Sequence, residues 1–88
     1  MIGNLSPTSK VALVDSLRRV AILNEKIAES TGGKRRSSLL KQRDMEILTV
    51  KTISSFLNSQ GKLSDRERIS LYSLDLMQMK KFTRGFSL

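Results

Sequence analysis

Cysteine, histidine and tryptophan are missing from this 88-residue chain, and proline occurs once, as Pro7. Without cysteine there is no disulfide to staple a small domain, and without cysteine or histidine a structural zinc site lacks its usual ligands. The same gaps remove the thiol nucleophile and the imidazole base, leaving carboxylates and lysines for any catalysis. The carboxylates mostly have basic neighbours at helical spacing, as Asp15 has Arg18 and Arg19, which is the pattern of surface ion pairs. No enzyme, cofactor, metal site or small-molecule substrate is therefore expected. Gly33-Lys34 invites comparison with a phosphate-binding loop, but that motif needs glycine at position 28 and serine or threonine at position 35, where this chain has Ala28 and Arg35.

Long apolar runs are also missing. Stretches such as Val11 to Val14 and Ile47 to Val50 are short and bracketed by charge, far from the roughly 18–20 residues of a membrane span. The start of the chain lacks a basic segment followed by an apolar block, so no secretory signal is expected. Lys10, Arg18 and Arg19 lie on an amphipathic stretch of the kind found in mitochondrial targeting segments, and Asp15 among them argues against one. The expected location is cytoplasmic.

Acidic residues are scarce, eight against sixteen basic, a net charge of +8. The excess is unevenly placed. Lys34, Arg35, Arg36, Lys41 and Arg43 fall within ten residues that hold no carboxylate, and Lys80, Lys81 and Arg84 form a second group near the C-terminus. Such clustering points to an anionic partner, with a solvated, solubilising surface as the alternative.

The apolar pattern is helical. Leu13, Leu17, Val20, Asn24 and Ile27 recur at alternating four- and three-residue steps, which predicts a helix over about 7–30, opened by Ser6 and Pro7 and stopped at Gly32-Gly33. A second helix is expected over 38–59, with Leu39, Leu40, Ile47, Val50, Ile53 and Leu57 as its main face and Met45, Leu48 and Phe56 further round the cylinder. Between them lies a basic hinge, 31–37. Ser64 and Glu67 match a capping box and open a third helix over 65–83, whose main face is Ile69, Tyr72, Leu76 and Met79. A short tail, 84–88, follows. Asn24 is either a polar residue fixing register in a helix seam or an edge residue in water; the edge is the expectation. The reading is a single all-α domain, 1–88, built as a three-helix bundle or as a helical hairpin with a third packed helix.

Functionally, the third helix carries more apolar residues than a bundle hides. Leu71, Leu74, Met77 and Phe82 point away from its main face and are the expected interface, for self-association or a protein partner. Lys34, Arg35, Arg36, Lys41, Arg43, Lys80, Lys81 and Arg84 are the expected anion- or nucleic-acid-binding residues. Nucleic-acid signals beyond charge are thin. A helix-turn-helix register with Gly61 in the turn puts Glu67 where an apolar residue belongs, and stacking platforms are limited to Tyr72, Phe56, Phe82 and Phe86. Arg35-Arg36-Ser37-Ser38-Leu39 fits the pattern of basophilic serine kinases, with Ser38 as acceptor. The expected function is binding, as an adaptor, inhibitor or assembly subunit. The alternative is sequence-nonspecific binding of nucleic acid through the hinge and the C-terminal basic residues.

Overall fold

A computed structural model describes residues 10–81 of the chain, and among these it is all-helical: α1 is Lys10–Glu29, α2 is Lys34–Ser59 and α3 is Asp65–Ser73. The seven-residue apolar repeat of α1 meets that of α2 in an antiparallel hairpin. Cross-helix pairs run in opposite directions along the two sequences: Arg19 Nε to Glu46 Oε1 at 2.9 Å, Arg43 Nη1 to Asn24 Oδ1 at 3.3 Å, and Arg36 Nη1 to the Ile27 carbonyl at 2.8 Å. Leu13, Leu17, Val20 and Ala21 from α1 join Ile47, Val50, Ile53 and Leu57 from α2 in one core, completed by Leu63 and Met79. Burying each large member contributes about 1.5–3 kcal/mol. The hairpin with a third helix is the architecture formed.

Each helix end has a local cause. Gly32 and Gly33 reverse the chain at φ 114° and 84°, conformations that suit glycine, and Gly33 is the N-cap of α2. At the other end of α2, Gly61 has φ 67° and donates to the Asn58 carbonyl at 3.1 Å, while Lys62 donates to Leu57 at 2.9 Å. These two bonds form a Schellman stop. Ser64 then caps α3. Its Oγ accepts from the Glu67 N–H at 3.1 Å, and Glu67 Oε1 accepts from the Ser64 N–H at 2.9 Å.

Three expectations need correction. The second helix begins at Lys34, not near Ser38, so Lys34, Arg35 and Arg36 occupy its first turn instead of a hinge before it. The two glycines complete the reversal within residues 30–33, and Ser37 already donates to the Gly33 carbonyl at 3.2 Å. The third helix ends at Ser73, well short of 83. Leu74 turns extended (ψ 126°), and residues 74–81 form a strap laid against the hairpin. Extended backbone lets Leu74 and Leu76 both pack on the core, and the side chain and carbonyl of Asp75 close the next turn by accepting from Met77 at 3.1 Å, Gln78 at 3.0 Å and Met79 at 2.9 Å. The inward face of α3 is therefore not the expected one. Leu71 packs on the core, whereas Ile69 and Tyr72 are 68% and 87% exposed.

Asn24 is the third correction. It is buried at 4% exposure, not hydrated at an edge. Its Nδ2 donates to the carbonyls of Leu76 (2.8 Å) and Met79 (2.6 Å), and its Oδ1 accepts from Arg43. One side chain thus ties the strap to both helices of the hairpin. The strap and α3 cover one side of that hairpin. On α2, Ser54 and Lys51 line the same depression as Leu71, Leu74 and Leu76, whereas Met45, nine residues or two and a half turns from Ser54, faces the opposite way. Ser6, Pro7, Phe82, Arg84, Phe86 and the tail 84–88 lie outside the described residues.

Candidate functional site

Antiparallel pairing sets the last turn of α1 beside the first turn of α2, and this end of the hairpin gathers the basic residues. The two helix ends carry opposite dipole charge, carbonyls from α1 and free N–H groups from α2. Arg36 is used internally there, since its guanidinium donates to the Ile27 carbonyl in the last turn of α1. Arg43 is used internally too. Its side chain is 11% exposed, holds Asn24 and lies 3.6 Å from Asp44, and its buried Nε has no partner among the described residues. Of the five cations expected to act together, these two are structural.

Lys34, Arg35 and Lys41 remain in water, and Lys26 from α1 joins them. Lys26 lines one depression with Lys41 and another with Arg35, and Lys34 lines a third with Lys41. Among the described residues none of the four has a carboxylate within 4 Å. Lys26 was not foreseen in the sequence, because only the hairpin pairing brings it to this end. Lys80 and Lys81 are also exposed, but they flank the middle of α1 beside Arg18, Ile22 and Glu25 and do not join the cluster. Ser38 lies in the second turn of α2, where its Oγ accepts from Gln42 at 3.3 Å.

The apolar surface is redistributed as well. Leu71 and Leu74, expected at an interface, are half-buried against the core, while Met77 stays half-exposed. Two other groups stand in water. Ile69 and Tyr72 lie one turn apart on the outer face of α3. Ile22 on α1 and Met45 on α2, the latter 67% exposed, line a shallow groove with Leu23, Lys26 and Lys41 on the side of the hairpin that α3 leaves bare. The signal for the second group was in the sequence: Met45, Leu48 and Phe56 fall outside the main face of α2.

Glu67 is the buried carboxylate. Burial pushes its pKa up, but the Ser64 N–H and the Lys10 ammonium, 3.0 Å away, outweigh burial and hold the group below its ordinary value of 4.5. Its partners are structural, a cap and an ion pair joining α3 to the start of α1. In comparisons with protein-family models, curated proteins and solved structures, nothing matches this chain.

Proposed function

We propose that this chain is a binding protein that works through protein–protein contacts, as an adaptor, inhibitor or assembly subunit. The observation that carries the reading is apolar side chains left in water around a hairpin whose core is already filled. Ile69 and Tyr72 on α3, and Ile22, Met45 and Leu48 on the hairpin, are all at least half exposed. Single exposed apolar residues are ordinary, but grouped ones mark contact surfaces. No helix among the described residues is long and apolar enough to cross a membrane, so a bilayer span does not account for them. Solution mass across a concentration series, read beside retention on immobilised DNA at two salt concentrations, tests the proposal. Self-association or capture of a protein partner that persists at high salt supports it. A stable monomer retained on DNA only at low salt overturns it.

Nucleic-acid binding is the second reading, favoured by four cations at one end of the hairpin, Lys26, Lys34, Arg35 and Lys41, that have no ion-pair partner among the described residues. Phosphate contacts release counterions, so affinity would fall steeply with salt, by about one unit of log–log slope per contact. An apolar interface has no such slope.

A further inference from the structure

The side of the hairpin away from α3 carries a feature that neither the core nor the cation cluster explains. Ser38, Gln42, Met45, Thr49, Thr52 and Phe56 recur at alternating four- and three-residue steps along α2. They form an uncharged stripe about 27 Å long, five turns, in a chain where charge is plentiful. Its hydroxyls are already occupied. Thr49 Oγ1 donates to the Met45 carbonyl at 3.1 Å and Thr52 Oγ1 to the Leu48 carbonyl at 2.9 Å. Covering the stripe therefore strands few polar groups, which removes the main cost of burying threonine. Beside it, Ile22 and Leu23 of α1 complete the shallow groove, bridged by the Arg19–Glu46 ion pair.

We propose that this groove receives an acidic amphipathic helix from another protein, its apolar ridge on Ile22, Leu23 and Met45 and its carboxylates against Lys26 and Lys41. This rests on the protein-binding reading above and names the partner's chemistry. Length argues for a helix: the groove itself takes in Lys41 to Glu46 of α2, and the uncharged stripe continues it to Ser38 on one side and Phe56 on the other, an elongated track that suits a helical ridge and not a small ligand. Charge argues for an acidic one. Lys26 and Lys41 rim the groove and have no carboxylate within 4 Å among the described residues, so a partner's carboxylates would meet cations that those residues leave unpaired. A second copy is disfavoured by the same charge, because it brings another +8 and the same lysines to the contact.

The test is a titration of the isotope-labelled full chain with a designed helical peptide of about 18 residues, five turns, with leucines along one stripe and glutamates elsewhere. Two controls accompany it, one with lysine replacing glutamate and one of scrambled order. Amide shifts at Ile22, Leu23, Met45 and Thr49 with the glutamate peptide alone are expected. The double variant Lys26→Glu with Lys41→Glu should weaken that binding about five- to tenfold, as two exposed charge pairs would. Met45→Glu, at an exposed position, should weaken it further with an unchanged melting temperature. Shifts confined to Ile69 and Tyr72 would overturn the groove assignment while leaving the protein-binding reading intact. Equal response to the scrambled peptide, or no response at all, overturns it too. A dimer abolished by Met45→Glu gives the groove to a second copy, and matching shifts with duplex DNA give it to nucleic acid.

Discussion

Asn24 is where one substitution should separate two layers of this fold. Changing Asn24 to alanine removes both donors to the strap carbonyls and the acceptor for Arg43. Two neutral hydrogen bonds contribute about 1–3 kcal/mol between them. Arg43, whose Nε already lacks a partner among the described residues, loses another and adds to the loss. The strap can respond by lifting into water, where its carbonyls are hydrated, so the damage should concentrate there. Hydrogen exchange reads this directly, because the Gln78 and Met79 amides are bonded to the Asp75 carbonyl inside the strap. Their exchange should accelerate about 5- to 150-fold, the factor that 1–3 kcal/mol sets. Amides in the middle of α1 and α2, such as those of Val20 and Val50, should change far less. Asn24→Asp sharpens the case. At neutral pH it sets a carboxylate against two carbonyls and should be worse than alanine, partly offset by Arg43. Acidification returns one donor, so its deficit should shrink as pH falls. Unchanged exchange at Gln78 and Met79 in the alanine variant would refute the argument, and a uniform change across all amides would show that strap and hairpin open as one unit.

Ser64→Ala should cost about 0.5–2 kcal/mol by removing the cap on α3, visible as a lower melting temperature. Glu67 contributes stability that is fully present above its unfolded pKa, near 4.5, and is lost as pH falls through its lower folded value. Glu67→Gln keeps an oxygen for the cap but not the charge facing Lys10, so parent and variant melts should differ at pH 7 and converge in acid; a constant gap would mean the charge is irrelevant. Arg36→Ala should destabilise by about 1 kcal/mol more than Arg35→Ala, since only Arg36 holds the Ile27 carbonyl. Equal melting temperatures for the two would remove Arg36 from the end of α1.

Periodicity makes the hairpin legible in the sequence. Leu13, Leu17 and Val20 on one side, and Val50, Ile53 and Leu57 on the other, were named from spacing alone and are all in the core. The capping box at Ser64 is readable for a related reason, since it acts within a few residues. What misled were signals shared by two structures. Apolar residues from Leu71 to Met79 satisfy a long helix, but they also satisfy a nine-residue helix followed by an extended strap. The choice between them lies with Asn24, some fifty residues away in sequence. A start of the second helix near residue 38 is the wrong inference from a basic, serine-containing segment, because glycine backbone at 32 and 33 completes the reversal earlier. The candidate cations were legible as a cluster. Their division into structural and free members was not, because the partners of Arg36 and Arg43 lie on the other helix.

That division bears on how the charge should be tested. Three cations in the first turn of a helix oppose its dipole, and taken alone this would argue that a bound anion is needed to relieve them. The hairpin changes the balance. The positive end of α2 lies beside the carbonyl end of α1, so the two dipoles partly cancel, and Arg36 reaches across to stabilise the α1 carbonyls. Local strain therefore no longer demands an anion. What remains is a surplus of four side-chain charges, from Lys26, Lys34, Arg35 and Lys41, exposed at one end with no carboxylate beside them among the described residues. Such a surplus costs the fold little, because water and salt screen exposed charges over about 8–10 Å. It does leave a field outside the protein that favours acidic partners and hastens their arrival. Reversing Arg36 or Arg43 would confuse folding with binding, and only Lys26, Lys34, Arg35 and Lys41 are clean probes of what this end attracts.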